Sequence, residues 1–168
     1  MEQKKGILVV SFGTSHLDTL ERTITAVEQY IAAQFPEYRV YRAFTSGMIL
    51  RKLKRKENLT FDNVEEALER MAADGIETAV IQPTHVINGI ENDRMLQAAE
   101  AYRDRFETMQ IGAPLLSTAE DYKKAVHAVM AEVDPAEDET LILMGHGTDH
   151  HANSAYPTLE YTFNLLGY

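Results

Sequence analysis

Apolar residues along this chain alternate between short unbroken runs and longer stretches of helical period. Gly6-Ile-Leu-Val-Val-Ser-Phe12 is uninterrupted, as suits a parallel strand covered on both faces, and Gly13-Thr14 ends it. Leu17, Leu20, Ile24, Val27 and Ile31 then recur every three or four residues. That spacing predicts a helix to about Phe35, opened by a Ser15–Asp18 capping pair and closed by Pro36. Arg39 to Phe44 reads as a second strand, followed by a short helix through Lys54. A further helix is expected from Phe61 to Ala73, capped by Thr60 or Asp62 and stopped by Gly75. Ile76 to Gln82 is a third strand ended by Pro83, and Glu91 to Phe106 is helical. Met109 to Leu116 holds a short extended piece, and Ala119 to Val133 is helical again. An acidic loop, Asp134–Glu139, leads into the apolar run Leu141-Ile-Leu-Met144, read as another strand. One last helix is expected from Ala152 onward, where Pro157 must sit in its first turn or break it.

Strand and helix alternating at this spacing predict an α/β fold, with a parallel sheet of four or five strands and helices on both faces. No internal repeat and no Pro/Ser-rich linker interrupts residues 1–168, so a single domain is expected. Composition narrows the chemistry. The absence of cysteine excludes a disulfide framework, thiolate metal sites and a cysteine nucleophile. A formal charge of −10 argues against general binding to nucleic acid or to an anionic membrane. The apolar run at Gly6–Phe12 is too short for a signal core or a membrane span, so a cytoplasmic location is expected.

In open α/β sheets, sites form at the carboxyl ends of the strands. The loops there are Ser11–His16, Phe44–Met48, Pro83–Glu91 and Gly145–His151, and they hold five of the six histidines. The sixth, His127, falls in mid-helix and reads as a surface residue. His146 stands between two glycines directly after an expected strand, where neutral imidazole can accept a borderline divalent metal. The plainer alternative is a loop histidine bonded to backbone. His150 and His151 carry less weight, because adjacent side chains diverge. No HExxH or comparable spacing marks a permanent structural metal. His85 and Glu91 share one loop, where a carboxylate beside an imidazole can take protons or complete a metal's coordination. Glu91 equally suits a first-turn helix acid favoured by the macrodipole. Ser11-Phe-Gly-Thr-Ser15 resembles an anion-receiving turn but lacks both phosphate-loop patterns. Arg51-Lys-Leu-Lys-Arg-Lys56 is a basic island suited to a polycarboxylate, with Arg42 nearby, or is a solvated helix end complementing its own dipole.

Four stretches then carry a family resemblance: Leu8–Ser15, Arg42–Ile49, Pro83-Thr-His-Val-Ile-Asn-Gly-Ile-Glu-Asn-Asp93 and Met144-Gly-His-Gly-Thr148. Together they resemble the anaerobic sirohydrochlorin cobalt chelatases of cobalamin biosynthesis, within the class II chelatases, and the third and fourth stretches are the specific ones. The resemblance implies a chelatase-like three-layer sandwich matching the N-terminal half of a two-domain enzyme. The implied reaction is ATP-independent insertion of Co²⁺ into sirohydrochlorin, a lyase activity with cobalt as substrate metal and no organic cofactor. By position, His146 matches the family's metal-binding histidine, and Glu91 matches the acid that assists with protons or metal delivery. Ser11 and Thr14 fall in a turn lining the tetrapyrrole cleft. With His85 as a second base, and with Arg51 and Lys52 for peripheral carboxylates, these are the candidate site residues. Family members run on into a second domain, so the expectation is either a piece of such a protein or a homodimer that completes the cleft. Two other readings stand beside this one: a flavodoxin-like or phosphate-binding module, and a tetrapyrrole- or metal-binding half-domain without catalysis.

Overall fold

The computed structural model describes residues 4–136 and 139–168, so Glu137 and Asp138 of the expected acidic loop lie outside the described residues. Its sheet is parallel throughout, in the order β2-β1-β3-β4. The strands are β1 (Lys5–Ser11), β2 (Tyr38–Phe44), β3 (Thr78–Pro83) and β4 (Thr108–Ile111). The β1 run Gly6–Ser11 is buried at every position, the signature of a strand flanked by two others and covered on both faces.

Side-chain alternation assigns the two faces. Register pairs Leu8 with Tyr41 and Ile81, and Val10 with Ala43. This face packs into the main core against Val64, Ala67, Leu68 and Met71 of α4 (Val64–Ala73) and Met95, Ala98 and Ala99 of α5 (Ile90–Ala101). The opposite face carries Val9, Arg42 and Gln82 in one row and Ser11 and Phe44 in the next. There Phe44 packs with Leu20 and with Leu53 of α3 (Gly47–Glu57). Arg42 reaches α2 (Ala26–Gln34), where its Nε donates to Glu28 at 2.7 and 2.9 Å and its Nη2 donates to Thr25 at 2.9 Å.

The helix predicted after β1 is present but not uniform. A short α1 (Leu17–Leu20) passes through a π-helical turn at Glu21–Thr25 before α2 begins. The Ser15–Asp18 cap does not form: His16 occupies the cap position without a side-chain bond, and its amide donates to Thr14 Oγ1 at 3.2 Å. The cap of α4 is Asn63 rather than Thr60 or Asp62, because Asn63 and Glu66 satisfy each other's amides in a capping box. Asp62 is drawn instead to Arg70, at 2.7 and 2.8 Å.

The described residues divide into two compact units, one of residues up to His85 with Glu91–Ala113, the other of Val86–Ile90 with Pro114–Tyr168. The second unit contains α6 (Ala119–Val133), a 3₁₀ turn at His151–Ser154 and α7 (Ala155–Leu165). In α6 the expected bounds hold, with Thr118 and Asp121 forming a capping box. Pro157 sits in the first turn of α7, where its missing N–H costs nothing. The expected strand Leu141–Met144 does not form. Its residues join no ladder, and Ile142 and Met144 are 84% and 96% exposed. An apolar run of four has the right pattern for a buried strand, but only a hydrogen-bonded neighbour makes it one. Among the described residues, no helix is long and apolar enough to cross a membrane.

Candidate metal and tetrapyrrole site

In the strand order β2-β1-β3-β4 the chain leaves β1 toward one side and later returns on the other. The point of reversal lies between β1 and β3, and in open α/β sheets the crevice beyond it takes ligands. Ser11 ends β1 there, 2% exposed, with its Oγ 2.8 Å from Thr84 Oγ1 just past β3. Thr84 also reaches the Val10 carbonyl, by its amide at 2.8 Å and by its hydroxyl at 3.4 Å. A carbonyl can only accept, so the hydroxyl chain runs from Ser11 through Thr84 to Val10 and leaves Ser11 Oγ with free acceptor capacity. Beside this pair opens a cavity of about 600 Å³, walled by Ile24, Val27 and Tyr30, with Arg22 among its polar members. The π-helical turn supplies part of that wall, a placement such turns often have at functional sites. Thr14 lies outside the wall.

His85 follows Thr84. Both its ring nitrogens are buried, and among the described residues neither meets a hydrogen-bond partner. Burial pushes its pKa below the ordinary histidine value, and the negative charge of Glu91 opposes that shift. Glu91 stands in the first turn of α5 and is itself half satisfied. Its Oε1 accepts from Arg94 Nη1 at 2.9 Å, while Oε2 is buried without a partner. Orphaned buried polar atoms on an imidazole and a neighbouring carboxylate are the donor set that a proton or a borderline divalent cation would satisfy. Among the described residues, no three histidine or acidic side chains gather as a ready metal cage.

In the second unit, His146 is exposed and its Nδ1 lies 2.5 Å from the Gly147 carbonyl. Because that oxygen only accepts, Nδ1 is the donor, so in the neutral ring Nε2 is the nitrogen left with a lone pair for a ligand role. Gly145 and Gly147 are both needed. A Cβ on Gly145 would strike the Tyr156 ring at 2.1 Å, and Gly147 has φ +71°. The His146 loop does not follow a strand as expected, since Leu141–Met144 is irregular. The rings of His150 and His151 do not diverge but lie 3.9 Å apart between centroids, tilted at 40°. His150 Nδ1 accepts the Ala152 amide at 3.2 Å, so that nitrogen caps the 3₁₀ turn. His127 is exposed in mid-helix, edge-on to Tyr168.

The basic island divides. Ser46 caps α3 at the carboxyl edge of the sheet, and Arg51 turns back toward that end, its Nη1 3.3 Å from where a Gly47 Cβ would stand. Lys52 is half-buried beside it, while Lys54, Arg55 and Lys56 occupy the last turn and complement the negative end of the helix. Arg42 does not join this cluster: its Nε and Nη2 are turned to Glu28 and Thr25. Thr84, Arg94, Asn153 and Tyr156 were not singled out by sequence reasoning; only the glycines flanking His146 hinted that something packs closely there.

Residues 5–168 match the family described as cobalt chelatase (CbiK). The sirohydrochlorin cobaltochelatase of Salmonella typhimurium is 40% identical over 159 residues, covering 94% of this chain and 60% of that protein. The sirohydrochlorin cobaltochelatase CbiKC of Nitratidesulfovibrio vulgaris is 34% identical over 160 residues, 93% of this chain and 56% of that protein. The chain thus spans somewhat over half the length of these relatives. A CbiX protein of cobalamin biosynthesis from Marinobacter aquaeolei superposes with a TM-score of 0.53 at 13% identity, over 79% of this chain and 99% of that one, a likeness of fold. With a match that runs from residue 5 to its last residue, the chain belongs to the CbiK cobalt chelatase family.

Proposed function

We infer that this chain carries the metal-holding and proton-accepting half of a sirohydrochlorin cobaltochelatase. The reaction takes Co²⁺ and the free macrocycle to the cobalt chelate and releases two pyrrole protons, with no change of oxidation state and no nucleotide. His146 supplies the first need, a ligand that holds Co²⁺ loosely through Nε2 and gives it up to ring nitrogens. Glu91 Oε2 and His85 supply the second, two bases able to receive the departing protons. Burial, which lowers the His85 pKa, favours the neutral imidazole, whose lone pair is the one open to a proton. The apolar wall at Ile24, Val27 and Tyr30, with Ser11 as acceptor, suits an edge of the macrocycle. Arg51 and Lys52 suit its peripheral carboxylates.

The observation that carries this reading is the exposed His146 ring, its Nδ1 against the Gly147 carbonyl, in a chain matched to the family from residue 5 to its last residue. Completion of the site by a second copy, in a cytoplasmic homodimer, belongs to the same proposal. The test is the absorbance change of sirohydrochlorin on adding Co²⁺ to the 168-residue chain, followed over a dilution series. Conversion whose rate per chain falls on dilution supports a site shared between copies. Spectral binding of the macrocycle without conversion at any concentration would leave only a tetrapyrrole-binding half-domain.

A further inference from the structure

The loop carrying His146 is held by side chains on either side of it. Before it, the Tyr156 ring lies against the backbone of Gly145, so close that a single added methyl would overlap it. After it, the Thr148 amide donates to Asn153 Oδ1 at 3.2 Å. That amide and the Gly147 carbonyl belong to one planar trans peptide, whose N–H and C=O point in opposite directions. Asn153 therefore grips one end of the peptide while the other end faces His146 Nδ1. The remaining polar groups close locally, His150 N on Thr148 Oγ1 and Ala152 N on His150 Nδ1, both at 3.2 Å.

We propose that Asn153 and Tyr156 are positioning residues for His146. By fixing the peptides on either side of it, they keep the proton on Nδ1 and the lone pair of Nε2 free for the ion. The proposal rests on the reading of His146 as the residue that holds cobalt, and it adds two residues on which that capacity depends. Hydrogen-bonded groups behind a metal-binding histidine commonly set its tautomer and its affinity. Here the same control is exerted one step further back, through a backbone peptide.

The experiment uses the full 168-residue chain with ¹⁵N-labelled histidine, at about pH 8 so that reference imidazoles are neutral. Long-range ¹H–¹⁵N spectra report the tautomer, and titration with CoCl₂ reports paramagnetic broadening of the His146 ring. In the unaltered chain His146 should appear as the Nδ1–H tautomer. Asn153→Ala and Tyr156→Ala should give a mixture of tautomers and raise the Co²⁺ concentration needed for half-broadening on the order of tenfold. Asn153→Asp keeps the acceptor and Tyr156→Phe keeps the ring, so both should match the unaltered chain, and His127 should be unchanged throughout. Alanine variants with an unaltered tautomer and unaltered broadening would overturn the proposal. Failure of Co²⁺ to broaden His146 in the unaltered chain would overturn the metal-holding reading instead, and the tautomer result would still decide the positioning role.

Discussion

At His85, burial and a neighbouring carboxylate act against each other, and burial is the stronger influence. The folded chain therefore binds this proton less readily than the unfolded chain, whose histidine has its ordinary value near 6.5. Between that value and the lowered folded one, the unfolded state holds more protons, so stability falls as the pH drops through this window. Above it the effect is absent. Chemical denaturation at a series of pH values should show a loss on acidification that His85→Gln largely removes; a pH dependence identical in the two proteins would mean that the ring is not held from water. His85 and Glu91 were legible in the sequence because one short loop carries both. The Ser11–Thr84 hydroxyl pair was not, since its members lie 73 positions apart and meet only through the β1–β3 register. The pairing of Arg42 was equally out of reach, since only the fold reveals Glu28 beside it.

Among the elements, the helix after β1 departs furthest from its simple pattern. Its apolar spacing is regular enough to predict one continuous helix, yet the π-helical turn at Glu21–Thr25 interrupts it next to the crevice. Arg42 bonds both Thr25, the last residue of that turn, and Glu28 in the first turn of α2, so one guanidinium ties the irregular segment to β2. Glu28→Ala would leave a largely buried cation without its anion, and removing one partner of such a pair costs about 3 kcal/mol. Urea denaturation should show that loss. Unchanged stability in the Glu28→Ala protein would show that Arg42 finds water instead. The elements were largely readable, with α6 matching at both ends. The strand at Leu141–Met144 was not, because four apolar residues carry no information about whether a ladder neighbour exists.

At the scale of the molecule, strand order decides where chemistry can gather. A sheet reversing between β1 and β3 brings Ser11 and Thr84 to one crevice edge, with His85 next in the chain and Glu91 opening α5. The parallel architecture was legible from alternation alone, whereas the order of its strands required the ladders themselves. The second unit presents His146 from a loop braced by α7, in a chain that spans somewhat over half of its cobaltochelatase relatives. In the proposed function, the Nε2 of this one imidazole delivers the ion. That role is tested most directly by comparing His146→Ala with the unaltered chain in Co²⁺ insertion into sirohydrochlorin, at matched concentration and with circular dichroism recorded on both. The His146→Ala chain should keep its fold and insert cobalt no faster than the protein-free background. A folded alanine variant that inserts cobalt at the rate of the unaltered chain would contradict it.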